Sequence, residues 1–235
     1  MQPIRTENIL RVSETLKMAG LRFIFIGGGI VGFLVNDPAS PPVRTTIDVD
    51  IVLDIATDPG QEKLESLLRE VGFKHDISSG APICRWVLDD IKVDILSIKD
   101  KFSGMNLKWL REAVSDPISI DLNGKQILIS SAPCFIAMKL EAFNDRGGED
   151  YWGSRDMEDF ISVVDGRLTL LDEIYGADNK VKEYIVNTTQ SLLGKKDFIL
   201  CISGHLPPDP VSQSRKEMVV TKLEKIANMP IAATM

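Results

Sequence analysis

Three aspartates carry the clearest chemistry in the chain. Asp48 and Asp50 stand one residue apart within residues 46–55, and Asp94 lies in the later stretch 92–96. Alternate residues of a strand share a face, so Asp48 and Asp50 sit side by side. Carboxylates crowded in this way repel, by about 4 kcal/mol for a close pair at an effective dielectric of 20, unless a cation lies between them. Hard oxygen donors select Mg²⁺ or Mn²⁺ over zinc. Upstream, Gly27-Gly28-Gly29 follows the apolar run Phe23-Ile24-Phe25-Ile26. Glycines let backbone approach a phosphate closely, and N–H groups that open a helix bind anions. The chemistry common to both features is a nucleoside triphosphate held beside one or two divalent ions, which orient it and activate an attacking hydroxyl. Asp94 would serve as third ligand or as general base.

The elements that must position these residues follow from periodicity. Residues 6–18 have helical spacing, with Gly20 closing the segment. A buried strand at 23–26 runs into the glycines, and a short helix, 30–35, leads to a Pro-rich loop at 36–42. Residues 46–55 alternate strictly: Ile47, Val49, Ile51 and Leu53 on one face, Asp48, Asp50, Val52 and Asp54 on the other. A helix over 59–71 comes next, then a hairpin of 84–88 and 91–98 about Asp89-Asp90. After a helix at 105–114, a second hairpin joins 118–122 to 126–129 through Asn123-Gly124, the dipeptide favoured in type I′ turns. From 131 onward the pattern is helical: 132–145, 155–165, 168–175, 178–193 and 210–227, the last capped by Asp209. This predicts an α+β fold, a mixed twisted sheet with flanking helices followed by a helical C-terminal subdomain, divided as 1–130 and 131–235.

Bulk properties narrow the function classes. A net charge of −7 and a pI near 5.0 argue against a broadly basic nucleic-acid surface. Cys84, Cys134 and Cys201 are too scattered for a disulfide framework or a thiolate zinc site. The longest apolar run, 21–34, is cut by Arg22 and four glycines, so no membrane span is expected. The amphipathic N-terminus gives no signal-peptide pattern, and a cytoplasmic location is the expectation. His75 and His205 have no partner at a telling spacing, and the three tryptophans read as packing residues.

The order of glycine pair, D-x-D and a third acid on a later strand resembles the polymerase-β-like nucleotidyltransferase superfamily. Gly27-Gly28 followed by Arg44-Thr45-Thr46-Ile47-Asp48-Val49-Asp50 is similar to the GG…R-x-T-x-D-x-D pattern of AbiEii-type abortive-infection toxins and their relatives. In the helical half, Lys139-Leu140-Glu141-Ala142-Phe143, Arg146 and Arg155-Asp156-Met157-Glu158-Asp159 resemble that family's K-L-x-A…R…K-D-x-x-D stretch. The likeness spans roughly residues 20–165. It implies transfer of a nucleoside monophosphate from an NTP such as ATP, with Mg²⁺ or Mn²⁺ on Asp48, Asp50 and Asp94. It also implies nucleotide binding by Gly27, Gly28, Arg44, Thr46, Lys139 and Asp156, in a cleft between the two halves. Two departures stand out: Gly29 replaces a frequent serine, and Arg155 precedes Asp156 where the pattern has lysine.

The acceptor stays open among a tRNA end, a protein hydroxyl and a small hydroxylated molecule, and the toxin members of the family raise an antitoxin protein as a partner. Two other readings compete. One is a non-catalytic descendant that binds nucleotide or a partner. The other is a dinucleotide-binding oxidoreductase, because Gly27 to Gly32 satisfies G-x-G-x-x-G after a strand. Against it, two acids sit inside an alternating strand rather than at its end, and hairpins follow instead of βαβ units.

Overall fold

Phe23–Ile26 (β1) is buried at every position, as expected of a strand enclosed on both faces. It lies within a seven-stranded mixed sheet in the computed structural model, which describes residues 4–54, 60–97, 108–146 and 149–231. The other strands are Asp48–Leu53 (β2), Lys74–His75 (β3), Arg85–Leu88 (β4), Ile91–Ser97 (β5), Pro117–Leu122 (β6) and Lys125–Ser130 (β7), in the order β3-β4-β5-β2-β1-β7-β6. β1 runs antiparallel to β2, whereas β2 with β5 and β1 with β7 are parallel. The antiparallel β1–β2 pair overturns the dinucleotide-binding alternative, which requires parallel strands joined by a crossover helix.

The chain falls into two compact units, Met1–Ile30 with Thr45–Ser130 and Val31–Arg44 with Ser131–Met235. The first unit holds the sheet and the helices Thr6–Met18 (α1), Gln61–Glu70 (α3) and Leu110–Ser115 (α4). One sheet face is apolar: Phe25 pairs with Ile51, Ile51 with Ile95, and Val49 with Val93. Leu16 of α1 and Phe25 and Ile51 of the sheet are fully buried, each contributing about 1.5–3 kcal/mol. The second hairpin turns through Asn123 and Gly124, both at positive φ, the type I′ geometry their identities predict. Strand β3 escapes sequence reading because two residues carry no periodicity; only pairing with β4 defines it.

The second unit contains Val31–Leu34 (α2), Ala132–Arg146 (α5), Arg155–Gly166 (α6), Leu170–Gly176 (α7), Asn179–Leu193 (α8), Lys196–Cys201 (α9), Pro210–Ser214 (α10) and Lys216–Ala227 (α11). Ser154, Asp178 and Asp209 accept backbone N–H bonds as N-caps of α6, α8 and α10. The helix expected over 210–227 is broken at Arg215. Its backbone N–H bonds Ser212 three residues back, and its side chain reaches Asp37 at 2.6 Å and Asp165 at 2.8 Å. Residues 31–44 are stitched in by polar contacts: the Asn36 and Asp37 N–H groups donate to Gly166 O, and Arg167 donates to Leu34 O. A Cβ at Gly166 would lie 2.6 Å from Ser40 Oγ and Val35 Cγ1, so only glycine admits this approach. Helix α9 was not anticipated. Ile55, Pro59, Ile98 and residues 105–107, assigned above to strands and helices, lie outside the described residues.

Candidate active site

Register decides where the acids go. On the parallel β2–β5 pair, Asp50 lies opposite Asp94 and Asp48 opposite Lys92. Residues paired across strands share a face, so Asp48, Asp50 and Asp94 project to the same side of the sheet. On that side, Ile24, Val52 and Leu96 are buried at one end, and the charged residues follow within two positions. Asp94 is itself buried, with 6% of its side chain exposed, while Asp48 retains 27%.

Gly27 makes room for the cluster. It follows β1 directly with φ at +70°, and a Cβ there would overlap the Asp50 carboxylate. Gly28 opens the 3₁₀ turn Gly28–Ile30 that leads into α2. Thr46 donates its hydroxyl to Asp48 Oδ1 at 2.8 Å and fixes that carboxylate.

Sequence reasoning missed Arg85. From β4 it is the cross-strand partner of Asp94, and it forks that carboxylate with Nε–Oδ1 and Nη2–Oδ2 distances of 2.7 Å. Nη2 also reaches Asp48 Oδ2 at 2.9 Å. The hydrogen bonds to Asp94 raise the affinity of the guanidinium for its proton despite partial burial. The signal was available: a two-residue turn at Asp89-Asp90 sets residue 85 opposite residue 94 by counting alone. Beside it, burial and then the charges of Asp94 and Asp50 push the Cys84 thiol up to about 11.

Three carboxylates on one sheet face, one of them given room by a glycine, are hard oxygen donors, the kind that Mg²⁺ and Mn²⁺ prefer. Among the described residues, no three acidic, histidine or cysteine side chains stand as a ready-made metal cage. In this arrangement Asp94 and Asp48 are turned to Arg85.

The remaining sequence-selected residues form a separate group in the second unit. Arg44 forks Asp159 at 2.6 and 2.7 Å and comes within 3.8 Å of Glu158. Lys139 bridges Asp156 at 3.0 Å and Asp159 at 2.7 Å, and Arg146 binds Asp156 through Nε at 3.0 Å. Asp159, fully buried, is the hub; sequence alone gave it no role. Both histidines tie backbone, His75 to Ile83 O and His205 to Tyr151 O.

No protein-family model matches the chain, and no curated protein matches it. Among solved structures, an antigenic nucleotidyltransferase-like protein from Paracoccidioides brasiliensis superposes with a TM-score of 0.51 at 16% identity, over 85% of this chain and 92% of that one. The antibiotic-resistance factor ANT(2'')-Ia aligns at TM-score 0.46 and 11% identity, over 67% of this chain and 81% of its own. The first of these two likenesses gives the chain the fold of the nucleotidyltransferase-like proteins.

Proposed function

We propose that the protein is a divalent-metal-dependent nucleotidyltransferase, moving a nucleoside monophosphate from an NTP to a hydroxyl on a tRNA end, a protein or a small molecule. The observation that carries this reading is the register that sets Asp50 opposite Asp94, with Asp48 two residues along the same face. Asp48 and Asp50 would hold Mg²⁺ or Mn²⁺, and Asp94 would complete the donor set. A bound ion of this kind neutralises triphosphate charge and lowers the pKa of the attacking hydroxyl. Gly27 leaves room for the Asp50 carboxylate and would give backbone close access to a phosphate. Thr46 holds Asp48 in one orientation.

The fork between Arg85 and Asp94 favours one other reading, a non-catalytic descendant that binds nucleotide or a partner. One experiment separates the two. The purified protein is incubated with Mg²⁺ and each labelled NTP, with total tRNA and with itself as acceptors. Label transfer that disappears in the Asp48→Asn, Asp50→Asn double variant supports the enzyme. Transfer that survives both changes would end the metal assignment.

A further inference from the structure

We infer that Arg85 is a displaceable internal cation that competes with a divalent ion for Asp94 and Asp48, with Asp76 as the acceptor it turns to when displaced. The inference rests on the metal-site reading above and specifies what controls entry to it. One guanidinium ties two of the three carboxylates, taking both oxygens of Asp94 and Oδ2 of Asp48. Thr46 takes the other Asp48 oxygen. An ion approaching these donors meets the positive charge of Arg85 and must displace it or bind weakly.

The structure also offers Arg85 a second partner. The Asp76 N–H donates to Arg85 O at 3.0 Å, which extends the β3–β4 register by one residue. Asp76 and Arg85 thus share the sheet face that carries Asp94 and Asp50. Across that face the order is Asp76, Arg85, Asp94, Asp50, so the arginine has an acid on either side. Asp76 Oδ1 accepts the Ser78 N–H, but Oδ2 is buried with no hydrogen bond from the described residues, and Lys92 Nζ stands 3.8 Å from it. The Asp76 side chain is only 8% exposed. A buried carboxylate oxygen lacking a donor is costly, and a guanidinium leaving Asp94 would satisfy it.

Mn²⁺ binding to the full chain, followed by electron paramagnetic resonance without nucleotide, tests this. Arg85→Gln should bind Mn²⁺ about ten- to a hundredfold more tightly than wild type, since one unit charge is removed a few ångströms from the ion. Arg85→Lys, which keeps the charge but loses the fork, should fall between and serves if the glutamine variant does not fold. Asp76→Asn should weaken binding severalfold, and that weakening should vanish when Arg85→Gln is also present. A merely structural role for Asp76 would not produce this dependence. Unchanged or weaker Mn²⁺ binding in Arg85→Gln, with binding still abolished by the Asp48→Asn, Asp50→Asn pair, overturns the competition and leaves the metal site standing. A neutral Asp76→Asn overturns its part. Absence of Mn²⁺ binding in every form overturns both this inference and the metal-dependent function.

Discussion

Gly27 and Asp50 occupy space that cannot be shared with a side chain at residue 27: a methyl group there would overlap the Asp50 carboxylate. Antiparallel pairing of β1 with β2 brings them together, since Ile26 faces Asp50 directly. The end of one strand thus shapes the surroundings of an acid on the next. Gly27 also has φ at +70°, a region that L-residues enter at a cost.

Gly27→Ala should therefore destabilise the protein by about 1–3 kcal/mol and weaken Mn²⁺ binding, measured by urea unfolding and by metal titration. Adding Asp50→Ala removes the overlap but not the backbone strain. The double variant should recover part of the stability without recovering metal binding. Additive losses would show that the two residues do not press on one another.

The aspartates were legible because they lie on strands whose alternation is visible locally. Asp48 and Asp50 follow from period two, and the Asp89-Asp90 turn places Asp94 in a hairpin. What the pattern concealed was partner choice over long separations. Arg44 meets Asp159, and Arg215 meets Asp37, across more than a hundred residues, and no local periodicity specifies such a pair. These contacts tie residues 31–44 into the helical unit. The helix break at Arg215 has the same origin, because its side chain is drawn to Asp37 and Asp165.

Lys139 is held with Asp156 and Asp159 where little water reaches, its side chain being 10% exposed. Replacing it with methionine keeps the length and removes the charge. Asp159 would then keep Arg44, and Asp156 would keep the largely exposed Arg146. Loss of one member of a buried ionic group costs about 3–5 kcal/mol, so Lys139→Met should lose about 3 kcal/mol in urea unfolding. Lys139→Met with Asp156→Asn should recover part of that loss. A change under about 0.5 kcal/mol would mean that water already screens the network.

Acid should loosen the second unit through Asp37. The hydrogen bond from Arg215, aided by the Ala39 N–H, holds its carboxyl below the usual range. For Glu173, burial pushes upward but hydrogen bonds from Arg167 and Thr169 prevail, and its pKa is also lowered. A depressed folded-state pKa gives stability that is complete above the unfolded value, about 4, and is lost as pH falls through the folded value. Urea midpoints measured from pH 6 down to pH 3 should fall less steeply for Asp37→Asn than for wild type. Parallel curves would remove Asp37 from the acid response.

All three cysteines are buried, and two have strongly raised thiol pKa values. Burial, followed by the charges of Asp94 and Asp50, pushes Cys84 up to about 11, and burial pushes Cys201 up to about 12. The thiolate is the reactive form. At pH 8 a thiol with pKa near 11 is ionised in about one molecule in a thousand, and both groups are also sheltered from reagent. A disulfide reagent should therefore modify Cys84 and Cys201 slowly in the folded protein and rapidly in urea, as followed by mass spectrometry. Fast native labelling of Cys84 would mean that β4 opens at its Arg85 end, and the acid cluster would then be far more accessible than its burial indicates.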